Sequence, residues 1–448
     1  MNSRAIPIRP VDGRVTIAEA LARAKRGGRR VRVGLIGVGQ MGTDIIVQIA
    51  QMQGIEVVAA AEMRVERVED AARMAGDSCR RPLVCASEAD ASRAIATGRL
   101  AVANSAETVC RTPEVDVIID ATGNPNAGAT VALTAIAAKK HIVMMNVEAD
   151  VTIGAYLAAE ADKAGVVYTL GAGDEPTAAM ELINFVRGLG YPVVAAGKGK
   201  NNPFRVDAMP DDYKDEAKRR NMNPRMLVEF VDGSKTMVEM VAIANAAGLI
   251  PDIPGMHGPA APRDQLQNYF CPKEEGGLLG RKGVVDFTVA KGVAPGVFCV
   301  AEMRHPRVRE RMSDLHLGPG PYYSFFRPYH LTSLEVPLSA AAAVLFGECH
   351  MRPLAVPTAE VGCVAKRDLK PGETLDAIGE YSYRGFALTR ADAMARHALP
   401  IGIAQGSKLV RAVAKGELIT REAAEPNQQL RIVEVRKLHE ARIAALTG

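Results

Sequence analysis

Short apolar runs alternate with amphipathic segments through the first third of the chain. The runs Val31–Ile36, Ile55–Ala61, Val115–Asp120 and His141–Asn146 are rich in β-branched residues, which is typical of buried parallel strands. Segments with helical spacing, such as Val65–Ala75, lie between them. Strands that alternate with helices predict a parallel sheet with right-handed crossovers.

Beyond about residue 150 the pattern becomes mixed. It predicts a helix over Thr177–Gly188, a strand over Tyr191–Gly199 and further strands over Gly283–Val289 and Gly296–Met303. The turn-rich stretch 249–284 is long for a connection inside a compact domain, so we expect a lid or a binding loop there. The small-residue helix predicted over Ser333–Phe346 is expected to return to the first sheet.

A glycine-rich turn follows the first apolar run. Gly37, Gly39 and Gly42 have the G-x-G-x-x-G spacing between a predicted strand and a predicted helix. The first glycine permits a tight turn, the second admits a pyrophosphate close to the backbone, and the third lets the helix pack on the strand. The helix start adds N–H groups for the phosphate. This pattern predicts dinucleotide binding, and the other cofactor-binding candidates are Gln40, Met41, Glu62, Arg64, Thr122, Gly123 and Asn146.

We therefore expect an α/β protein of three parts. Residues 1–150 are predicted to form a Rossmann-type parallel-sheet domain, completed by the helix near 331–347. Residues 151–330 are predicted to form an α+β catalytic domain. Residues 355–448 are predicted to form a small β-rich domain, with strands over Val361–Lys366 and Val410–Lys415 and a final helix over Gln428–Leu446.

Composition narrows the class of protein. The net charge of +4 over 448 residues argues against a nucleic-acid partner and is compatible with a small anionic substrate. No apolar run approaches the roughly 18 residues that would cross a membrane, and an amphipathic helix is expected near Val15–Arg23. The seven cysteines have no C-x-x-C spacing, which favours free thiols and a cytoplasmic location.

Charged residues at predicted element ends are the candidates for chemistry. Asp174 and Glu175 precede a predicted helix and either cap it or hold a divalent metal or a proton. Lys198 and Lys200 alternate with glycines at a strand end, as in an anion clamp. The charged stretch Asp211–Arg220 is either a solvated helix face or functional.

Two known families share these features. Up to about residue 345 the chain resembles the homoserine dehydrogenase type of oxidoreductase, whose catalytic Asp and Lys lie in a D-x-x-x-K helix. The matching stretch here is Asp215-Glu216-Ala217-Lys218-Arg219, which has Arg at the position of that Lys. The Lys-Pro-Gly-Glu turn at 370–373 and the Lys-Gly-Glu-Leu-Ile-Thr turn at 415–420 resemble an SAF domain.

The combination is similar to the DXP reductoisomerase-like proteins, through Met-Asn-Val-Glu at 145–148 and Gly-Asp-Glu-Pro at 173–176. This resemblance implies NADP-dependent reduction of a small phosphorylated keto-sugar, namely 1-deoxy-D-xylulose 5-phosphate, in isoprenoid precursor synthesis. NAD stays open, because Glu62 suits NAD whereas Arg64 and Arg67 suit a 2′-phosphate. A homo-oligomer, dimer or tetramer, is also expected.

The same resemblance implies roles for the charged residues. The catalytic candidates are Lys198, Lys200, Asp215, Lys218 and Glu148; the substrate-binding candidates are Asn201, Arg327 and His330; and the candidate ligands for Mg²⁺ or Mn²⁺ are Asp174 and Glu175. Two alternatives stay open. One is a metal-free, homoserine dehydrogenase-like enzyme acting on a small hydroxy substrate, and the other is a non-enzymatic dinucleotide-sensing or carbohydrate-binding protein.

Overall fold

A computed structural model of the chain describes residues 16–220 and 222–448, which form two compact units. The first unit contains the described residues up to Asp174 together with Leu331–Arg352. The second contains Glu175–His330 together with Pro353–Gly448. Of the segment expected as a catalytic domain, residues 151–174 belong to the first unit, and the rest falls in the second unit together with the segment expected as a small C-terminal domain. The beginning of the predicted first domain, residues 1–15, lies outside the described residues.

The strands follow one another along both units. In chain order they are β1 (Val31–Ile36), β2 (Ile55–Ala61), β3 (Pro82–Val84), β4 (Leu100–Ala103), β5 (Val117–Asp120), β6 (His141–Met144), β7 (Tyr168–Leu170), β8 (Val193–Gly199), β9 (Ile250–Pro251), β10 (Val284–Thr288), β11 (Val297–Glu302), β12 (Tyr322–Arg327), β13 (Ala359–Ala365), β14 (Tyr383–Thr389), β15 (Lys408–Leu409), β16 (Leu418–Ile419) and β17 (Ala424–Glu425).

The α-helices are listed in the same way. They are α1 (Ile17–Arg26), α2 (Gln40–Gln51), α3 (Val65–Ala75), α4 (Glu88–Ala96), α5 (Ala106–Arg111), α6 (Pro125–Ala137), α7 (Val147–Ala164), α8 (Glu175–Gly188), α9 (Lys214–Arg219), α10 (Pro224–Val231), α11 (Ser234–Ala247), α12 (Leu266–Tyr269), α13 (Pro306–Asp314), α14 (Val336–Phe346), α15 (Arg390–Ala395) and α16 (Arg431–Thr447). Among the described residues, no helix combines the length and the apolar character needed to cross a membrane.

The first unit is built on a parallel sheet of seven strands in the order β3-β4-β2-β1-β5-β6-β7. The chain builds outward from β1 in one direction and then, from β5 onward, in the other. Such a reversal opens a crevice at the carboxyl ends of the central strands, which is where ligands bind in open parallel sheets. The sheet therefore directs the residues after β1, β2, β5 and β6 toward one edge.

Helix α14 returns to the first unit after the second has been formed. Its Val336, Ala340 and Ala341 are fully buried in the same core as Val33 and Leu35 of β1. Just before the helix, the Ser333 hydroxyl donates to an Asp44 carboxylate oxygen on α2 at 3.0 Å. The expected return of this segment is confirmed, and the helix begins at Val336 because a 3₁₀ turn occupies the residues before it.

The second unit contains a mixed sheet in the order β12-β11-β8-β10-β9. Strand β8 runs parallel to β10 and antiparallel to β11, so it lies at the centre of the sheet. Helices α8 and α11 pack against β8. Every residue of β8 is buried, including the lysine near its end.

The stretch 249–284 packs into this unit and is not a lid. Leu266, Phe270 and Leu279 are fully buried and join the core that Val284 and Phe298 provide from the sheet. The Phe270 and Phe298 rings stack with their centroids 4.9 Å apart. The expectation of a lid was wrong because the few apolar residues between its turns are the ones that reach the core, and a role in binding stays a prediction.

The C-terminal segment adds small antiparallel sheets, β14-β13-β16 and β15-β17. Its strands β13 and β14 pack on α11 of the same unit. The continuous strand predicted over Val410–Lys415 is wrong, because the ladder ends at Leu409 and within the predicted range only Val413 pairs, as an isolated bridge with Leu369. The likeness of this segment to an SAF domain stays a prediction.

Candidate active site

The turn between β1 and α2 requires two of its three glycines for packing. A Cβ on Gly37 would lie 2.8 Å from the Ala121 carbonyl oxygen, and Gly37 has φ +88°. A Cβ on Gly42 would lie 2.1 Å from the Gly37 carbonyl oxygen. A Cβ on Gly39 would meet nothing within 4 Å, so the space above this glycine is open. The described residues thus leave room over the start of α2, where backbone N–H groups suit a pyrophosphate.

Glu62, at the end of β2, is bound by the backbone of this turn. Its carboxylate accepts from the Val38 N–H at 2.9 Å and from the Arg64 N–H at 3.2 Å. Arg67 lies 3.6 Å from the same carboxylate. Glu62 therefore connects the glycine turn to the start of α3, and the Arg64 side chain is exposed beside it.

Asp120, Asn124 and Asn146 lie at or just after the carboxyl ends of β5 and β6. Asp120 is fully buried, which raises the pKa of its carboxyl group to about 6, and Oδ1 accepts from the Thr122 N–H at 3.0 Å. Asn146 donates to the Asn124 carbonyl at 2.8 Å and caps α7 by accepting from the Ala149 N–H. Asn146 thus orders the 122–124 turn, in which Gly123 has φ +63°.

Glu148 and Asp174 both belong to the first unit. Glu148 lies in the first turn of α7 and is 7% exposed. Asp174 ends the turn formed by residues 171–174. A hydrogen bond from the Ala172 N–H to the Ser339 hydroxyl, at 2.7 Å, holds this turn in place. A carboxylate at a helix start is stabilised by the helix dipole, which gives Glu148 a structural role as well as a chemical one.

The second unit contains a buried lysine–glutamate cluster, defined here as Glu175, Lys198, Glu239 and His330. The Lys198 ammonium donates to Glu175 Oε1 at 2.7 Å and to a Glu239 carboxylate oxygen. His330 Nε2 lies 3.3 Å from the same Glu175 Oε1. Each side chain is no more than 15% exposed.

Electrostatics fixes the charge of Lys198. Burial favours its neutral form, but Glu175 and Glu239 outweigh burial and the pKa of Lys198 is raised. Burial and the nearby Glu175 raise the pKa of Glu239. Lys198 is therefore a permanent cation that holds two carboxylates together, and it is unsuited to act as a base.

Lys200 is two residues further along the chain and has the opposite tendency. Burial, and then repulsion from Lys198, lowers the pKa of Lys200 to about 8. Its ammonium donates to the Phe230 carbonyl at the end of α10, and it lies 5.9 Å from the centre of the Phe204 ring. A lysine that titrates near neutral pH can deliver or accept a proton, as general acid–base catalysis requires.

Two predicted substrate residues have partners nearby. Arg327, 14% exposed on its side chain, lies 3.1 Å from Glu181 on α8 and also lies over the Tyr329 ring. Asn201 follows Lys200 and is exposed, with its carbonyl oxygen accepting from Asn202 at 3.1 Å. Arg327 and His330 thus both lie beside carboxylates of α8, Glu181 and Glu175 respectively.

Asp215 and Lys218 are not brought to the lysine–glutamate cluster. Both are exposed on the short helix α9, whose buried contact is Ala217. No hydrogen bond or ion pair within residues 16–220 and 222–448 joins either of them to the cluster. Asp215 and Lys218 therefore lie on a solvated face, as the alternative interpretation of this charged stretch predicted, and their catalytic role stays a prediction.

Sequence reasoning missed Asp120 and Glu239. Asp120 ends a central strand at the ligand edge, a position that could have identified it. Glu239 is an acid inside the otherwise apolar run Met237–Ala244, and it is 1% exposed. A lone carboxylate within such a run must find a buried cation. That cation is Lys198.

The fold and the family matches define an NAD(P)-dependent oxidoreductase, with a dinucleotide-binding first unit and a charged candidate site in the second. Residues 37–170 match the NAD-binding domain of homoserine dehydrogenase. Residues 173–336 match the catalytic domain of oxidoreductase DRL, the DXP reductoisomerase-like family that the sequence resembles. The two segments cover about two thirds of the chain.

Solved structures resemble this chain more loosely. A probable dehydrogenase from Thermotoga maritima is 14% identical over 71% of this chain and 90% of its own, with a TM-score of 0.41. The 1-deoxy-D-xylulose 5-phosphate reductoisomerase from Zymomonas mobilis, solved with NADPH, is 18% identical over 48% of this chain and 58% of its own, with a TM-score of 0.36. No curated protein matches the sequence.

Proposed function

We propose that this oxidoreductase uses NADPH to reduce a small phosphorylated keto-sugar, with 1-deoxy-D-xylulose 5-phosphate as the leading candidate, in isoprenoid precursor synthesis. The observation that carries the proposal is the pairing of Lys198 and Lys200, one permanently charged and one titrating near pH 8, within the segment that matches the DRL catalytic domain. An enzyme that converts a carbonyl into an alcohol needs such a proton donor.

The chain's own residues supply the proton and the charge. The bound cofactor supplies the hydride. Lys200 holds a proton on Nζ at neutral pH and can release it to a developing alkoxide, whose stabilisation is the largest catalytic contribution to expect. Lys198 keeps Glu175 and Glu239 in place, and Arg327 and His330 are the proposed contacts of the anionic group. Asn201 and Glu148 stay candidates by position alone.

NADP is the proposed cofactor because two arginines follow Glu62, whose carboxylate accepts from two backbone N–H groups. The ribose of NAD would need that carboxylate as an acceptor. Arg64 and Arg67, which follow it, are suited to a 2′-phosphate instead. Cytoplasmic location and assembly as a dimer or tetramer stay predictions.

If a divalent metal binds, it must compete with the Lys198 ammonium for the carboxylates of Glu175 and Glu239. Asp174 and Glu175 are the ligands that the sequence suggested, and Glu239 adds a second buried carboxylate beside Glu175. Carboxylate oxygens suit Mg²⁺ or Mn²⁺, but the Lys198 ammonium already neutralises Glu175 and Glu239. A bound ion would hold the substrate oxygens and polarise the carbonyl.

Homoserine dehydrogenase-like activity is the second candidate, favoured by the match of residues 37–170. One assay separates the two: NADPH oxidation is followed with 1-deoxy-D-xylulose 5-phosphate, and NAD(P)⁺ reduction with homoserine, each with and without EDTA. Turnover of the phosphorylated ketose supports the proposal. Turnover of homoserine alone selects the second candidate, and turnover of neither rejects both.

A further inference from the structure

The C-terminal segment contacts helices α10 and α11 at three separate places. At the start of α10, Arg225 donates to the Ile378 carbonyl at 2.8 Å. At the junction of the helices, Lys366 pairs with Asp232 at 2.7 Å. Near the end of α11, Asn245 Oδ1 accepts from the backbone N–H groups of residues 358 and 359, each at 2.9 Å. The contacts therefore extend along both helices.

Lys366 makes the most deeply buried of these contacts. Its side chain and that of Asp232 are both 0% exposed. The ammonium also donates to the Ala208 carbonyl at 2.9 Å and to the Glu380 carbonyl at 2.8 Å. Two carbonyl hydrogen bonds and the ion pair with Asp232 thus surround the ammonium. Removing this side chain would leave Asp232 as a buried charge without its cation, which is strongly destabilising.

Asp232 fixes the turn between the two helices. It caps the C-terminus of α10, Gly233 follows with φ +87°, and the Ser234 N–H donates to Asp232 Oδ1 at 2.8 Å. Gly385 of β14 donates its N–H to the Ser234 hydroxyl at 2.8 Å. The C-terminal segment thus holds both the carboxylate and the hydroxyl that define this turn.

One helix carries an acceptor for Lys198 of β8 and the other an acceptor for Lys200, which follows the strand. Phe230, near the end of α10, is two residues before Asp232, and its carbonyl accepts from the Lys200 ammonium. On the second turn of α11, Glu239 accepts from Lys198. A shift of the turn at Asp232 would move both acceptors, and the lysine ammonium groups would follow or lose them.

We propose that Lys366, in the C-terminal segment, is a positioning residue. It fixes the positions of the Phe230 carbonyl and the Glu239 carboxylate, and these acceptors in turn position the ammonium groups of Lys200 and Lys198. The inference rests on the proposed function only for the chemical role of the two lysines. The placement of their acceptors is independent of the substrate.

The test compares Lys366→Met with Arg436→Met in the full-length protein. Arg436 forms another buried ion pair of the C-terminal segment, with Glu360 at 2.5 Å, and it makes none of the three contacts above. Acetylation of Lys200 by acetic anhydride is followed by mass spectrometry, together with amide hydrogen exchange over residues 225–240. Neither measurement needs a substrate, so a failure of the proposed activity leaves the test intact.

In Lys366→Met we expect acetic anhydride to acetylate Lys200 more than about tenfold faster than in the parent. The backbone amides of residues 225–240 should also exchange faster, because local opening exposes the lysine and these amides. Arg436→Met is expected to accelerate both less than Lys366→Met does, because its partner Glu360 lies on β13 and not in the turn between α10 and α11. If Lys366→Met does not fold, Lys366→Met/Asp232→Leu replaces it, because the buried carboxylate is then removed as well. Unchanged labelling and exchange in the folded variant, or equal effects of Arg436→Met, would overturn the proposal.

Discussion

The Lys198 ammonium lies 2.7 Å from Glu175 Oε1 and also contacts Glu239. Lys198→Met should therefore leave two carboxylates facing one another in a buried site and lower the free energy of unfolding by about 3–5 kcal/mol. Their repulsion raises the pKa of at least one carboxyl in the folded state above its unfolded value, so the loss should grow as pH rises and be smaller at pH 5 than at pH 8. Urea unfolding at both pH values measures it.

Glu239→Gln in the Lys198→Met background is the matched control for this loss. It removes one of the two charges, so most of the lost stability should return. An equal loss at both pH values, with no recovery in the double variant, would mean that packing of the lysine stem matters more than its charge.

Lys198→Met should also change the affinity for a divalent cation. If the ammonium competes with the ion for Glu175 and Glu239, its removal should tighten Mn²⁺ binding at least about tenfold, or 1.4 kcal/mol. Calorimetric titration of parent and variant with Mn²⁺ provides the comparison. Weaker binding in the variant would place any metal away from these two carboxylates.

Lys200 should control the alkaline side of the pH–rate profile. Its pKa of about 8 means that the proton donor is lost as pH rises through that value, so the turnover number should fall there. Lys200→Gln should reduce it by about 10²–10⁴, and Lys200→Arg should restore little of the loss, because a guanidinium keeps the positive charge but cannot release its proton. Lys218→Gln, on the exposed face of α9, should change it less than twofold; a large loss there would restore the homoserine dehydrogenase pattern.

Arg64 should distinguish the two nicotinamide cofactors. Arg64→Ala is expected to raise the KM for NADPH roughly tenfold or more, since a hydrogen bond to a charged group contributes about 1.5–3 kcal/mol, and to leave the KM for NADH unchanged. Arg73→Ala is the control, because Arg73 pairs with Asp70 at 2.8 Å on the same helix. Equal changes for both cofactors would argue against a 2′-phosphate contact.

The glycines of the turn should separate folding from binding. Gly42→Ala places a Cβ against the Gly37 carbonyl and should cost about 1–3 kcal/mol of stability through overpacking. Gly39→Ala meets open space at φ −78° and should cost less than about 1 kcal/mol, yet weaken dinucleotide binding. Thermal unfolding and fluorescence titration with NADPH measure the two effects. A Gly39→Ala variant that binds normally would contradict the placement of the pyrophosphate.

Local patterns were sufficient for the parallel sheet and the nucleotide turn. Buried strands such as Val31–Ile36 are continuous apolar runs, and the glycine spacing has a steric cause within the turn itself. The return of α14 could also be predicted, since an apolar helix must be buried somewhere. These features depend on residues close together in the sequence.

The candidate site was predicted only in part, because the residues that contact one another there are distant in sequence. Lys198 was identified from its strand-end glycines, but Glu239 lies 41 residues away on a helix that the pattern did not predict. The position of Asp215 and Lys218 depends on which face of α9 packs inward, and Ala217 decides this. Lys366 could not be connected to the site from sequence because its partner Asp232 is more than a hundred residues upstream.

The first unit is interrupted in the sequence by part of the second, since α14 completes the core around Val33 and Leu35 only after about 160 further residues. During synthesis, the apolar surface that α14 covers therefore stays exposed until α14 has been made. Translation proceeds at about 5–20 residues per second, so this exposure lasts tens of seconds at the slow end of that range. A ribosome-bound fragment ending near residue 174 should be captured by chaperones, and release should follow once residue 346 has left the exit tunnel.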